Sequence, residues 1–167
     1  MQIKIRSLEI TDNLRIAELI RTVFREFKID RPGTVYTDPS TDNLYEVFKN
    51  PQSSYWVAEV DNKLAGGCGI YPTEGLPHAY AELVKFYLLP EYRGLGIGKK
   101  LLEKCFASAI GIGYTHLYLE SFPELATAVG MYEKSGFKNI DHPMGNSGHY
   151  ACSIWMVKEL SNEVISH

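Results

Sequence analysis

The stretch LLPEYRGLGIGKKLLEKC, residues 88–105, places three glycines at alternate positions directly before an apolar pattern with helical spacing. Glycine is a poor helix former and costs about 1 kcal/mol relative to alanine. A helix start, however, leaves its first backbone N–H groups without intrahelical partners, and the helix dipole makes that end positive. The absence of side chains at Gly94, Gly96 and Gly98 lets an anion approach those amides. The stretch therefore predicts a phosphate-binding turn.

Two common phosphate-binding loops do not fit this run. A Walker A loop needs glycine where Arg93 stands and serine or threonine where Lys100 stands. The dinucleotide fingerprint G-x-G-x-x-G, begun at Gly94, needs its third glycine where Lys99 stands. For the glycines alone, a turn that packs a helix closely on a sheet without any ligand remains an alternative.

Strands and helices are predicted to alternate around this turn, because apolar residues recur with period two in some segments and at helical spacing in others. The predicted strands are QIKIRSLE (2–9), SYWVAEV (54–60), KLAGGCGIY (63–71), YAELVKFYLL (80–89), THLYLES (115–121), FKNI (137–140) and ACSIWMVKEL (151–160). The predicted helices are 13–27, 41–50, one from the glycine run to about 109 closed by Gly111, and 123–133 ended by Gly136. Asp61 and Asn62 between the second and third strands predict a tight hairpin turn. The order of the elements predicts an α/β fold with a right-handed crossover around the glycine run.

Composition and charge argue against several classes of protein. A length of 167 residues fits one domain, 1–167. A net charge of −3 without a lysine and arginine block argues against nucleic acid as a partner. No apolar run is long enough for a membrane span or a signal peptide. Three isolated cysteines without a C-x-x-C pair argue against a disulfide framework or a thiolate metal site, so no metal is predicted and a reducing cytoplasm is expected.

Two segments together resemble a known family. AELVKFYLLPEYRGLGIGKKLL (81–102) carries R-x-x-G-x-G directly after a strand, and AVGMYEKSGF (128–137) follows one strand later. Both resemble signature segments of the GNAT superfamily of acetyl-CoA-dependent N-acetyltransferases. The resemblance implies a mixed central sheet of about seven strands flanked by about four helices, with a splayed parallel strand pair at the coenzyme site. It also implies acetyl-CoA as acyl donor and direct attack by a primary amine in a ternary complex.

The resemblance assigns coenzyme binding to the signature strand and turn. The backbone of Phe86 and Leu88 would pair with the pantetheine arm, and Arg93 would steady the loop or a phosphate. The diphosphate would lie on the turn, at Gly94, Leu95, Gly96, Ile97, Gly98 and Lys99. Many relatives carry an asparagine that contacts pantetheine where this sequence has Leu125.

The resemblance also suggests residues for the chemistry. An alkyl amine has a pKa of about 10 and reaches the enzyme as an ammonium, so a base must remove a proton. Glu82 on the signature strand is the first candidate for this base, and Glu120 at the end of the next strand is the second. Tyr132 matches the family's general-acid tyrosine, and its hydroxyl would protonate the leaving sulfur or donate a hydrogen bond to it.

The acceptor is left open by the sequence. A small-molecule amine is expected, and a protein or peptide amine is the alternative within the same chemistry. A non-catalytic acyl-CoA-binding module is the alternative from another class. We expect the segment at residues 28–40, with Asp30 and Asp38, to shape the acceptor site, and the family suggests a possible homodimer.

Overall fold

The chain folds around a seven-stranded mixed sheet flanked by four α-helices in the computed structural model, which describes residues 1–161. The strands are β1 (Ile3–Ser7), β2 (Ser54–Val60), β3 (Lys63–Tyr71), β4 (Tyr80–Leu88), β5 (His116–Ser121), β6 (Lys138–Ile140) and β7 (Ile154–Glu159). The helices are α1 (Asn13–Glu26), α2 (Leu44–Val47), α3 (Ile97–Ile112) and α4 (Ala126–Lys134). The order of the strands in the sheet is β1-β2-β3-β4-β5-β7-β6, and β4 and β5 run parallel. The predicted fold class and element order are confirmed.

Two details of the sequence interpretation are corrected. The prediction that Gly111 closes the third helix is wrong, because α3 continues to Ile112 and Gly113 closes it in the left-handed conformation, at φ 113°. The Gly113 amide donates to the last carbonyl oxygens of the helix, those of Ala109 and Ile110, at 3.1 Å each. Gly111 lies inside the helix at an exposed position. The segment at 28–40 is also more ordered than a loop, since it contains a 3₁₀ turn at Val35–Thr37 and begins another at Pro39–Asn43.

The hairpin between β2 and β3 follows the sequence closely. Asp61 and Asn62 both have positive φ, at 49° and 69°, as the two central residues of a type I′ turn require. Aspartate and asparagine tolerate this conformation better than most residues, because their short polar side chains bond locally. The predicted tight turn is confirmed.

The sheet carries an apolar core on each face. One core receives α3 and α4 through residues such as Leu101, Leu102 and Tyr132. The other receives α1 and α2 through residues such as Phe24 and Leu44. Each fully buried large side chain contributes about 1.5–3 kcal/mol relative to exposure, so both faces are firmly closed. Within residues 1–161, no helix combines the length and apolar character that a bilayer crossing requires.

The parallel strands β4 and β5 separate after a short pairing. They pair only between residues 80–82 and 116–118, whereas β5 pairs with β7 along its whole length. Beyond Glu82 the two strands diverge, which leaves unpaired β4 backbone at a gap in the middle of the sheet. The predicted splayed strand pair is confirmed, and both cavities described below lie along this gap.

Candidate active site

A β-bulge in β4 produces the gap. Gly67 of β3 pairs with Tyr87 and Gly69 pairs with Val84, so two β4 residues face the single residue between the glycines. One of the two, Lys85, has a left-handed backbone at φ 52°. A non-glycine residue in this conformation costs on the order of 1–3 kcal/mol and persists only where its surroundings hold it.

Tyr55 holds the bulge from the neighbouring strand. Its hydroxyl donates a hydrogen bond of 2.8 Å to the carbonyl oxygen of Lys85. To reach that oxygen, the Tyr55 ring lies across β3, where a Cβ at Gly67 or Gly69 would come within 2.6 Å of its atoms. The glycine-rich run of β3 therefore gives the ring room to pin the bulge. No local sequence pattern marks Tyr55 for this role.

The larger cavity on the gap, here called the coenzyme groove, has a volume of about 320 Å³. It extends from the bulge to the start of α3, and α1 and α4 supply its other walls. Its lining includes Val23, Phe27, Phe86, Tyr87, Leu88, Arg93, Gly94, Gly96, Ile97, Gly98, Lys99, Leu125, Thr127, Ala128 and Met131. Nearly all of the predicted coenzyme-binding residues therefore meet in one groove, and Leu95 lies beside it with its side chain exposed.

Leu88 and Arg93 connect the strand to the turn. The amide of Leu89 donates to Ala65 of β3, at 2.9 Å, so by strand alternation the N–H and C=O of Leu88 point away from β3, into the gap. The Arg93 guanidinium donates to the Leu88 oxygen at 2.8 and 3.1 Å, and to the Glu26 carboxylate at 2.7 and 2.9 Å. In this structure Arg93 therefore steadies the loop, and the Leu88 N–H is the group left for a ligand.

The glycine run has the geometry of an anion cradle. Gly94 and Gly96 have φ of 78° and 81°, and a Cβ on either would meet no other atom within 4 Å, so both face open space. The first intrahelical bond of α3 joins the Lys100 amide to the Gly96 oxygen, at 3.3 Å, so the amides before Lys100 lack intrahelical partners. A Cβ on Gly98 would lie 2.7 Å from Met131 Cε, at the bottom of the groove. These features fit the diphosphate and pantetheine of a coenzyme A thioester.

A second space on the gap, here called the inner cavity, lies across the bulge and has a volume of only about 40 Å³. Its polar and ionisable lining residues are Glu82, Lys85, Tyr87, Glu120, Ser121, Tyr132, His149 and Cys152. Phe86, Tyr87 and Leu125 line both the inner cavity and the coenzyme groove. The two spaces therefore adjoin at the bulge.

Glu82 is a buried carboxyl with one free oxygen. Its side chain accepts a 2.6 Å hydrogen bond from Thr73 Oγ1 at Oε1, while Oε2 accepts none from residues 1–161. Only 4% of Glu82 is exposed. Burial, together with the nearby charge of Glu120, raises the pKa of Glu82 to about 7. A carboxyl that titrates near neutrality is suited to accept a proton from a substrate.

Tyr132 presents an unused donor to the same cavity. Its buried ring lies 5.8 Å from the ring of Phe86 and 5.8 Å from that of Phe137, measured between centroids. Its hydroxyl makes no hydrogen bond within the described part of the chain, although Tyr55, Tyr114 and Tyr118 each donate one. Burial raises the pKa of Tyr132 well above its usual value, so the hydroxyl keeps its proton.

Glu120, the second candidate base, is already engaged as an acceptor. Tyr118 donates to one of its oxygens at 2.7 Å, and Ser147 donates to the other at 2.5 Å. Glu120 therefore holds the segment at residues 141–153 through Ser147 as well as lining the cavity. Glu82, in contrast, keeps one oxygen without a hydrogen bond from residues 1–161, which makes it the better placed candidate for the base.

The covering segment, residues 141–153, borders the inner cavity through His149 and Cys152. The Asn146 amide donates to Glu74 O at 2.7 Å, and the Ala151 amide donates to Gly33 O at 3.1 Å. His149 Nε2 lies 2.9 Å from Asp38 Oδ2, and this contact holds the pKa of Asp38 well below its usual range. The expectation that the 28–40 segment shapes this site is supported for Asp38, because that residue binds the covering segment.

An outer groove of about 460 Å³ opens beside the covering segment. Pro143, Tyr150 and Trp155 are among its lining residues, and Tyr150 is 80% exposed. Glu120, His149 and Cys152 line both this groove and the inner cavity. The outer groove and the inner cavity therefore adjoin at these three side chains.

Sequence reasoning missed Tyr55, Thr73 and Lys85. Thr73 lies in a turn and contacts Glu82 only because β3 and β4 pair, so no local pattern marks it. Lys85 did carry a signal, since it is the one charged residue in the run LVKFYLL. An ionisable side chain inside an apolar strand requires either a partner or a function.

Comparison with known proteins agrees with this geometry. The model of the Acetyltransferase (GNAT) family matches residues 16–137. The chain is 38% identical over 156 residues to an uncharacterized N-acetyltransferase, YjgM, of Escherichia coli (strain K12), with 93% of each chain covered. It superposes with a TM-score of 0.83 on a GNAT-family acetyltransferase of Staphylococcus aureus Mu50, at 24% identity, covering 96% of this chain and 100% of that one.

A second solved structure shares the fold and contains the coenzyme. The PaiA N-acetyltransferase of Thermoplasma acidophilum, solved in complex with coenzyme A, superposes with a TM-score of 0.73 at 24% identity. The alignment covers 95% of this chain and 99% of that one. At this level of identity the likeness concerns the fold.

Proposed function

This chain belongs to the acetyltransferase (GNAT) family, and from that premise we propose that it acetylates a primary amine on a small molecule, by direct attack in a ternary complex. The protein is an acyltransferase, and acetyl-CoA is its acyl donor. We further propose that it acts as a single catalytic domain. The observation that carries the proposal is Glu82, a buried carboxyl with a pKa of about 7 in a cavity that adjoins the coenzyme groove.

The proposed role of Glu82 is to take a proton from the acceptor ammonium. An alkyl ammonium has a pKa of about 10, so transfer to a carboxyl of pKa about 7 costs about 4 kcal/mol. Transfer to an ordinary glutamate, at 4.5, would cost about 7 kcal/mol. Burial of Glu82 therefore lowers the cost of deprotonation by about 3 kcal/mol. The oxygen Oε2, which accepts no hydrogen bond from residues 1–161, is the proposed proton acceptor.

The proposed role of Tyr132 is to stabilise the departing thiolate. When the amine nitrogen attacks the thioester carbonyl, a C–N bond forms, the C–S bond breaks, and the electron pair stays on sulfur. The nitrogen then gives up its second proton to form the neutral amide, and a proton neutralises the thiolate. A protonated phenol without another partner is able to donate a hydrogen bond to that sulfur. The carbonyl oxygen would be polarised by the backbone N–H of Leu88, which points into the gap.

The enclosure of the inner cavity favours a small acceptor. A volume of about 40 Å³ holds only a few water-sized groups, so an amine head group fits there and a folded protein surface does not. The remainder of the acceptor would lie in the outer groove. A flexible peptide terminus is the second candidate, because the outer groove is open and carries the exposed Tyr150.

The test measures release of coenzyme A thiol from acetyl-CoA with a panel of small primary amines and short peptides. We expect turnover with small amines and a fall in kcat of about 100-fold or more for Tyr132→Phe, as for the loss of a hydrogen-bond donor to a developing anion. Tyr114→Phe is the matched control, because the Tyr114 hydroxyl bonds Gln52 O away from both cavities. Equal rates for wild type and Tyr132→Phe would remove the proposed role of the tyrosine, and turnover restricted to peptides would overturn the small-molecule assignment.

Compartment and assembly complete the proposal. Cys68, Cys105 and Cys152 are free thiols in this structure, which fits a reducing cytoplasm. A homodimer, which the family resemblance implies, is tested by light scattering of the purified protein across a dilution series.

A further inference from the structure

Lys85 is an ionisable group for which the acetyl-transfer chemistry described above has no use. Its side chain lines the inner cavity together with Glu82 and Tyr132. Its ammonium makes no hydrogen bond and no ion pair with any of residues 1–161, and burial lowers its pKa. Lys85 is only partly buried, but an ammonium at a small enclosed cavity with no anion bonded to it is costly, which leaves it available to a ligand.

The neighbouring carboxylates do not supply that anion. Asp38 and Glu82 are close enough to favour the charged form of Lys85, but neither forms an ion pair with it. Asp38 contacts His149 through one oxygen, and its other oxygen accepts a bond from the Ser40 amide, at 2.9 Å. Glu82 accepts its bond from Thr73. The ammonium of Lys85 thus has no hydrogen-bonded or ion-paired partner among residues 1–161, although the residue lines the inner cavity beside Glu82.

A comparison with Lys158 shows what a structural lysine looks like in this protein. Lys158 is also partly buried with a lowered pKa, but its ammonium donates to Ser135 O at 2.6 Å and lies 5.1 Å from the centre of the Phe106 ring. Lys85 has no comparable contact, and its backbone is held at positive φ by the bulge. The same strain that opens the gap therefore places a free cation beside the proposed base.

The coenzyme is not the natural partner of this cation. Lys85 lines the inner cavity and is absent from the lining of the coenzyme groove. The anionic part of the coenzyme would lie at the glycine turn, at the other end of that groove. The remaining molecule that enters the inner cavity is the acceptor.

We propose that Lys85 binds a carboxylate carried by the acceptor close to its amine, so that the acceptor is an amino-acid-type zwitterion. This inference rests on the proposed function. The inner cavity would receive the ammonium at Glu82 and the carboxylate at Lys85, which are charges of opposite sign in one small space. Because the cavity is small, the two groups must be separated by only a few bonds. The side chain of the acceptor would then extend past Glu120 into the outer groove.

The experiment compares amino acids with their carboxamides as acceptors. Amidation keeps the size of the acceptor and its amine but removes the negative charge. It also lowers the pKa of the amine, so a larger fraction of the amine is deprotonated, which by itself favours attack. For wild type we expect kcat/KM to be at least about tenfold higher for the acid than for the amide, since a charge-assisted hydrogen bond is worth about 1.5–3 kcal/mol. We expect Lys85→Met to abolish this preference through a higher KM for the acid, with the KM of the amide unchanged.

Two further variants serve as controls for the loss of the Lys85 charge. Lys158→Met removes a partly buried lysine away from both cavities and should leave the acid preference intact. Lys85→Arg should keep much of the preference, because it preserves the charge. Circular dichroism and thermal melting of each variant identify any that fail to fold, and in that case the wild-type comparison of acid and amide decides.

The outcomes separate the two proposals. If no amine of the panel is acetylated, the proposed function fails. If amines are acetylated but wild type uses acids and amides equally, or if Lys85→Met lowers both by the same factor, the carboxylate assignment is overturned and the acetyl-transfer proposal stands.

Discussion

The coenzyme groove and the inner cavity meet at one bulge but are built in different ways. The floor and the anion cradle of the groove come from one continuous stretch of chain, from Phe86 to Lys99, and rely mainly on backbone groups. The inner cavity is built from side chains of segments far apart in sequence. Its contact between His149 and Asp38 joins positions 111 residues apart.

This difference separates what is generic in the protein from what is specific. Backbone amides at a helix start recognise a diphosphate whatever the other side chains are, so the groove needs glycine and little else. Recognition of an acceptor depends on which side chains meet in space, and two side chains of the inner cavity carry it in our proposals, namely Glu82 and Lys85. Substitutions in the two regions should therefore fail in different ways.

The largest effect is expected from closing the groove. Gly98→Val puts two methyl groups where a Cβ alone would already come 2.7 Å from Met131 and 3.1 Å from Phe86. We expect the dissociation constant for acetyl-CoA to rise at least about 100-fold, because the loss of two charge-assisted hydrogen bonds amounts to about 3–6 kcal/mol. Isothermal titration calorimetry measures this directly.

Gly111→Val is the matched control for that experiment. It introduces the same residue into the same helix, at an exposed position where a Cβ meets no atom within 4 Å. It should leave acetyl-CoA binding unchanged and raise stability slightly, because valine is a better helix former than glycine. Similar binding by both variants would refute the placement of the diphosphate on the turn.

A smaller effect, confined to the chemical step, is expected at Glu82. Glu82→Gln should lower kcat by about 10²–10³-fold with little change in acetyl-CoA affinity, as expected for the loss of a general base. Wild-type kcat/KM should fall as the pH drops below about 7, because protonation removes the base. The variant should lose this limb of the pH profile, and a limb that persisted would point to another base, with Glu120 the first to examine.

Glu82→Gln, which is expected to lower kcat, is expected to raise the free energy of unfolding. A carboxyl whose pKa rises from 4.5 to about 7 on folding binds more protons in the folded state, so its contribution to stability is lost as pH rises through that window. The loss amounts to about 3 kcal/mol at most. As pH rises from 4.5 to 7, we therefore expect the stability of Glu82→Gln to increase relative to that of wild type. Urea unfolding across pH measures this difference.

The smallest effect is expected at Tyr55, whose hydroxyl holds the bulge between the coenzyme groove and the inner cavity. Tyr55→Phe keeps the ring between Gly67 and Gly69 but removes the hydrogen bond to the Lys85 oxygen. We expect about 1 kcal/mol lower stability and a several-fold rise in KM for both substrates, because the bulge borders both spaces. Tyr114→Phe also removes a hydroxyl-to-carbonyl bond, at an exposed site, and serves as control. A change in KM for only one substrate would show that the bulge does not support both regions.

Local patterns were sufficient for much of the fold and for the groove. Period-two and helical spacing predicted the order of the elements, and Asp61 and Asn62 predicted their turn, because these preferences arise within a few residues. The glycine run predicted an anion cradle for the same reason. The ends of the elements were less certain. Gly111 and Gly113 lie close in sequence and either is suited to end the helix, so the local pattern does not decide between them.

The sequence alone thus determined the order of the elements and the glycine cradle, because both depend on neighbours along the chain. Only the tertiary structure decided the content of the inner cavity. Strand alternation would send Glu82 and Lys85 to opposite faces of the sheet, but the bulge shifts the alternation and brings both to one space. The contacts of Thr73, His149 and Tyr55 likewise join segments that pair or pack only after folding. Side-chain chemistry in that cavity is therefore a property of long-range packing, which no local pattern encodes.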